Sequence, residues 1–382
     1  MLALCVALGC GGHVTRDSAA GGAGQTAAGA PSAGAAGRGD VAGNGAGGDA
    51  VGGEAVGGEA PNGGNAGVLE PPGGAGGGAG SAVVAEDVNV VAPSPGCGDP
   101  TSGGTVFGGF GEYSVPVSGQ TLDPAFSVEP HDRHYFVWLP KDYDNTKPYR
   151  VTFQYMGCGD RNAGATQNYR LMSQDPESIY VGMNMAPAGL PPAGKDCFDV
   201  SVGKQSVEWE FMGLVASAVQ RVFCVDEHRL FVAGYSAGAS VANFFGCYFA
   251  GKDPNRKFGP DIMIRGQSGV SGTPVLADVP CSGEKAAALW IHDTDDKENL
   301  LSGNQGVSLP RVLAANGCTN GLNGPHVPWG STTLLNSWCT RYAACPAEYP
   351  VVFCTTSGRG HSAQDDLAIP GFIEFQNLMN PQ

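Results

Sequence analysis

Aromatic residues are missing from the first 100 residues of this 382-residue chain, which also hold no Ile and no Lys; the first aromatic is Phe107. A segment dominated by Gly and Ala and lacking such side chains buries too little apolar surface to offset its chain entropy. One folded domain is therefore expected, covering residues 97–382, a length that a single large α/β core can fill. Basic residues are also scarce, 21 Lys and Arg against 36 Asp and Glu, for a formal net charge of -15. A protein that grips phosphate backbones needs a basic face, so nucleic acid is not an expected partner. No apolar run reaches the roughly 18 residues of a membrane span. No Cys-x-x-Cys pair and no His/Cys cluster with zinc-ligand spacing occurs, so no metal site is expected.

Cysteine, by contrast, is plentiful, with 12 in the chain. Cys5 and Cys10 lie at the extreme N-terminus. The other ten (Cys97, Cys158, Cys197, Cys224, Cys247, Cys281, Cys318, Cys339, Cys345 and Cys354) are spread through the folded part. An even number in that distribution points to disulfides, up to five, and to an oxidising compartment. The opening residues Met1–Gly12 read as the end of an apolar signal-peptide core. Within them Ala7-Leu8-Gly9-Cys10 resembles a bacterial lipoprotein box, which makes Cys10 the expected lipidation site. Residues 11–96 then form an expected flexible Gly/Ala-rich spacer, with a tandem Val-Gly-Gly-Glu-Ala over Val51–Ala60. The expected organisation is thus a leader (1–10), a spacer (11–96) and an enzyme domain (97–382). The protein is expected to be exported, as an outer-membrane or cell-surface lipoprotein or otherwise extracellular, and to meet the membrane only through Cys10.

Within the domain, strand-like and helix-like runs alternate, the pattern of a mostly parallel sheet covered by helices. Strands are predicted at His134–Leu139, Tyr149–Met156, Ile179–Met185, Arg229–Ala233, Ile262–Gly266, Ala287–His292 and Val351–Cys354. Helices are predicted at Ser206–Phe223, where apolar residues recur on one face, at Ala237–Phe249, and at Ala368–Met379. The apolar strand at 229–233 runs into Gly234-Tyr-Ser-Ala-Gly238, and a helix follows. That is the context of a nucleophile elbow, in which a sharp strand-to-helix turn exposes the Ser236 hydroxyl and leaves no room for side chains at the two glycines.

A serine nucleophile needs a base, and the base needs an orienting acid, which on this type of scaffold follow in the order Ser, acid, His. Three histidines follow Ser236: His292, His326 and His361. His361 occupies a loop directly after the strand at 351–354, where a catalytic base belongs, whereas His292 ends a strand and His326 lies in an irregular stretch. For the acid, His292-Asp-Thr-Asp-Asp296 offers Asp293, Asp295 and Asp296, and spacing alone does not choose among them. Serine chemistry of this kind implies no organic cofactor.

From about Val137 onward the chain resembles the feruloyl esterase and polyhydroxybutyrate depolymerase-like family of secreted esterases. The matching blocks are Cys224-Val-Asp226 with Arg229–Gly238, the acid loop 292–296, Asn316-Gly-Cys318, Cys339, Cys345, and Tyr349–Cys354 followed by Gly-x-Gly-His361. The resemblance implies an α/β-hydrolase fold, Asp296 as triad acid with Asp295 as second choice, and an oxyanion hole built from the backbone N–H of Ala237 and one at Cys158 or Gly159. Met156 and Asp160 depart from the family's His-Gly-Cys-Gly-Gly at that loop. The tannase-like disulfide between residues preceding nucleophile and base is absent, since Tyr235 and Gly360 stand there. The expected activity is hydrolysis of feruloyl or acetyl esters on plant polysaccharide, with polyester depolymerisation as the variant. A non-catalytic surface lipoprotein on the same fold is the rival of a different class.

Overall fold

The computed structural model describes residues 87–99, 110–119, 129–159, 174–185, 197–198, 207–248, 262–274 and 284–380. All fall in the second of two units of the chain, Ser81–Gln382. Cys10, most of the expected spacer, Asp160 and Cys281 lie outside them.

Among the described residues ten strands form one sheet in the order β1-β2-β4-β3-β5-β6-β7-β10-β9-β8. They are β1 (Phe110–Val117), β2 (His131–Trp138), β3 (Tyr149–Tyr155), β4 (Ser178–Met183), β5 (Val225–Tyr235), β6 (Ile264–Val270), β7 (Ala287–Asp293), β8 (His326–Pro328), β9 (Cys339–Tyr342) and β10 (Val351–Thr356). The run β4-β3-β5-β6-β7-β10 is parallel, while β1 and β2 pair antiparallel at one end and β9 and β8 do so at the other. This mostly parallel sheet flanked by helices is the expected α/β-hydrolase architecture.

Residues of β3, β4, β6 and β7 are buried throughout, as the strands of a parallel sheet covered on both faces must be. Alternation along the strands sorts side chains into two layers. Val137, Val151, Phe153, Val181, Leu230 and Val232 pack with Val215 and Val219 of helix α1 (Glu208–Val222) and with Phe245 of helix α2 (Ala237–Tyr248). On the opposite face Phe136, Phe231, Leu289, Ile291 and Val352 pack with Phe372 and Phe375 of the closing helix, Asp365–Asn377. A third group forms where Trp290 and Phe353 meet Leu309 and Leu313 of the helix Leu309–Ala315.

Four disulfides join described cysteines: Cys97–Cys224, Cys158–Cys197, Cys318–Cys345 and Cys339–Cys354. Cys247 is also disulfide-bonded. The Cys97 bridge anchors a segment that begins earlier than the sequence predicts. Residues 87–96, assigned there to the spacer, lie against β5. Pro93 bridges to Asp226, Ser94 N–H donates to the Val225 carbonyl at 2.8 Å, and Asp226 accepts from the Ala92 amide at 3.0 Å. The backbone groups of this stretch make these bonds, and they leave no hydropathy signal.

Buried ion pairs tie the sheet to its surroundings. Arg133 meets Glu208 at 3.1 Å, and Arg150 meets Asp175 at 2.6 Å. Asp175 also accepts from the hydroxyls of Ser178 and Tyr180. Burial pushes its carboxyl up, but Arg150 and these hydroxyls outweigh that and hold it below the usual carboxylate range. The unfolded chain therefore binds more protons than the folded one once pH falls to near the ordinary aspartate value of about 3.9. The stabilisation is present above that value and is lost as pH falls through the lower, folded value. Thermal melts between pH 7 and pH 3 should stay level down to about pH 4.5 and fall below it. Asp175→Asn, which strands a buried Arg150, should cost about 3–5 kcal/mol at neutral pH.

The candidate active site

Parallel strands deliver the site's parts to one edge of the sheet, because the loops after β5, β7 and β10 all leave from C-terminal strand ends, where such sheets bind ligands. β5 ends at Tyr235 and α2 begins at Ala237, with Ser236 between them at φ 53°. This left-handed conformation is costly for a non-glycine residue. It is held by the ladder bond from the Ser236 amide to the Val270 carbonyl at 2.9 Å and by the Ser240 amide and hydroxyl, which donate to the Ser236 carbonyl at 3.1 and 3.2 Å. The glycines of the motif are sterically required. A Cβ at Gly234 would sit 2.2 Å from the Gly238 carbonyl carbon, and one at Gly238 would sit 2.2 Å from the Tyr155 carbonyl oxygen.

His361 Nε2 lies 2.9 Å from Ser236 Oγ, and its Nδ1 lies 2.9 Å from Asp296 Oδ2 and 3.1 Å from Oδ1. With Nδ1–H donating to the carboxylate, Nε2 is free to accept the serine proton. The three carboxylates that spacing left equivalent have separate jobs. Asp296 faces the base and also accepts from the amides of Glu298 and Asn299 at 3.0 and 2.9 Å. Burial pushes its carboxyl up, yet the Asn299 amide and the His361 side chain outweigh this and leave it below the usual range, an ionised partner for an imidazolium. Asp293 and Asp295 instead hold the loop that carries His361. Asp293 accepts from the Thr356 hydroxyl at 2.7 Å and the Arg359 amide at 3.0 Å, and Asp295 accepts from the Gly358 amide at 2.7 Å. Burial pushes the Asp293 carboxyl up, but the Thr356 hydroxyl and the amides of Asp295, Arg359 and Gly360 outweigh this and hold it below its usual range.

Behind the acid stands a buried polar network that sequence reasoning missed. His292 Nε2 donates to the Asn299 carbonyl at 2.5 Å and lies 3.5 Å from Asp296 Oδ2, while Asn304 Nδ2 donates to His292 Nδ1 at 3.2 Å. Burial lowers the His292 pKa despite the Asn299 carbonyl and the nearby carboxylates, so it serves as a neutral prop. Asn304 opens a π-helical turn, Asn304–Ser308, a feature often found at functional sites. Its side chain also donates to the Gly272 carbonyl at 2.6 Å and accepts from Asn243 of α2 at 3.3 Å. Asn243 in turn accepts from the Trp290 indole N–H at 2.7 Å. Helix α2 and the loop that carries Asp296 are thereby fixed to one another. The available signal was Asn243, a polar residue in a helix buried along its whole length.

The loop after β3 runs beside the nucleophile. A Cβ at Gly157 would come 3.4 Å from Ser236 Cβ, and Cys158 is tied to Cys197. Met156, which departs from the family pattern, is buried in the core cluster that also holds Phe136, Trp138 and Tyr180. Tyr235 flanks the base, its ring centroid 5.4 Å from that of His361 and its hydroxyl donating to the His361 carbonyl at 3.3 Å. Of the other late histidines, His326 lies on the exposed edge strand β8.

No protein-family model matches the chain. Its sequence is similar to feruloyl esterase D of Neurospora crassa, 23% identical over 292 residues, covering 73% of this chain and 86% of that protein. Among solved structures it is similar to the acetyl xylan esterase of Aspergillus awamori, with a TM-score of 0.47 and 11% identity over 70% of this chain and 99% of that one. It is also similar to a ferulic acid esterase of Anaeromyces mucronatus, with a TM-score of 0.40 and 13% identity over 75% and 97% of the two chains. The likeness to feruloyl esterases expected from the sequence is found.

Proposed function

We propose that this protein is a serine carboxylic-ester hydrolase whose nucleophile is Ser236. The observation that carries this reading is the continuous hydrogen-bonded line from Ser236 Oγ through the two ring nitrogens of His361 to Asp296, each link 2.9 Å long. His361 takes the hydroxyl proton as Ser236 Oγ attacks the ester carbonyl carbon. The oxyanion of the tetrahedral intermediate is received by the Ala237 amide at the start of α2 and by the amide of Cys158 or Gly159. Collapse breaks the bond to the alcohol, which leaves with the proton from His361. Water then attacks the acyl-enzyme by the same base catalysis and releases the acid and Ser236.

The substrates are feruloyl or acetyl esters carried on plant polysaccharide. The similarity to feruloyl esterase D of Neurospora crassa supports this choice. Disulfides joining distant parts of the chain support export to an oxidising compartment. Cys10 is the lipid attachment site, with the Gly/Ala-rich stretch as tether to the membrane. A panel of methyl ferulate, acetylated xylan and a short polyhydroxybutyrate oligomer tests the reading. Turnover of the first or second supports it, preference for the third moves the assignment to a depolymerase, and no turnover of any ester by well-folded protein overturns it in favour of a non-catalytic surface protein.

A further inference from the structure

The side chain of Glu298 occupies a position that the triad itself does not need. Its Oε2 lies 3.7 Å from His361 Nε2, the nitrogen that also faces Ser236 Oγ. Its backbone is fixed, since the Glu298 amide donates to the triad acid Asp296 at 3.0 Å. The side chain is 74% exposed, whereas that of His361 is 11% exposed. The charge of the Glu298 side chain reaches Tyr235, whose pKa is raised by burial first and then by Glu298 and Asp296. The cation on the base's own loop, Arg359, is engaged elsewhere, with Asp366 at 2.6 Å.

The chemistry fixes which part of a substrate meets this charge. When the tetrahedral intermediate collapses, His361 Nε2 hands its proton to the departing alcohol, so that oxygen must come within hydrogen-bond reach of Nε2. A group standing 3.7 Å from the same nitrogen is therefore beside the alcohol portion rather than the acyl portion.

We propose that Glu298 is a specificity-determining residue that makes the alcohol side of the cleft anionic, so that the enzyme rejects esters whose leaving alcohol carries a carboxylate and accepts neutral or cationic ones. On polysaccharide this means esters of neutral sugars in preference to esters on uronic-acid units. The inference rests on the Ser236–His361–Asp296 reading.

Three matched aryl acetates test it: phenyl acetate, 3-carboxyphenyl acetate and 3-(trimethylammonio)phenyl acetate, which share an acyl group and differ in leaving-group charge. Comparing ratios between wild type and Glu298→Gln cancels their different intrinsic reactivities. In Glu298→Gln the anionic-to-neutral ratio of kcat/KM should rise about fivefold and the cationic-to-neutral ratio should fall by a similar factor, the effect of one charge a few ångströms away in a wet cleft. Glu298→Lys should carry both ratios further in the same directions, and 0.5 M salt should erase most of the difference. Ratios unchanged in both variants, or moved equally for the anionic and cationic esters, would overturn the inference while leaving the esterase assignment intact. If a fluorophosphonate fails to label Ser236 in the wild type, the esterase assignment fails and this inference with it.

Discussion

Asp296→Asn is expected to lower kcat by about 10⁴-fold with little change in stability, as when a triad acid is replaced by its amide. The reason lies in the tautomer. An asparagine amide turned toward His361 Nδ1 donates a hydrogen, which forces the imidazole to carry its own proton on Nε2, the atom that must accept from Ser236. The charge that stabilises the imidazolium is lost at the same time. Asp295→Asn is the internal control. Asp295 contacts the Gly358 amide, not the imidazole, and its replacement should cost at most about tenfold. Steady-state kinetics of the two variants on one ester separates them. Equal losses would mean that the acid has been misassigned between adjacent residues.

The second large effect is on folding. Gly238→Ala should prevent recovery of folded protein or cost more than about 3 kcal/mol, because overpacking a site without slack moves backbone rather than side chain. The added methyl would lie 2.2 Å from the Tyr155 carbonyl oxygen and 2.7 Å from the Met156 amide nitrogen. Both belong to the strand and loop that border the nucleophile. Gly159→Ala supplies the contrast. Gly159 has φ +95° with nothing within 4 Å of its missing Cβ, so its substitution should cost only about 1 kcal/mol of backbone strain. Urea midpoints for the two variants measure the difference. A Gly238→Ala protein as stable as wild type would contradict the close strand–helix contact on which the elbow depends.

Long apolar strands and the elbow were legible because burial on both faces writes a continuous signal: Arg229–Ala233 was read directly and proved to be the centre of β5. Strand β1 was not read, since FGEYSVPV mixes Gly, Pro and polar residues and is paired through its backbone with β2. Strands β8 and β9 were missed because both are short, β8 being exposed throughout and β9 only partly buried. The helical stretch after residue 300 was missed because its π turn shifts the periodicity that marks a helix. In the site, Ser236 and His361 could be placed from their strand-end positions. The acid could not, because Asp293, Asp295 and Asp296 share one tight turn and only its path decides which of them faces the imidazole. Family resemblance chose Asp296, and the geometry puts that residue, not Asp295, against His361. Asn243 left a signal as a polar residue in a buried helix, but the partners of the supporting asparagines could not be read, for they lie at sequence separations of 28 to 61 residues.

Mass-spectrometric mapping of a fluorophosphonate adduct tests the central claim most directly. The account predicts one phosphonylated residue, Ser236, with labelling at neutral pH that vanishes in Ser236→Ala and slows severely in His361→Ala while the protein remains folded. A folded wild-type protein that takes no label, or that takes it at another serine, would contradict it.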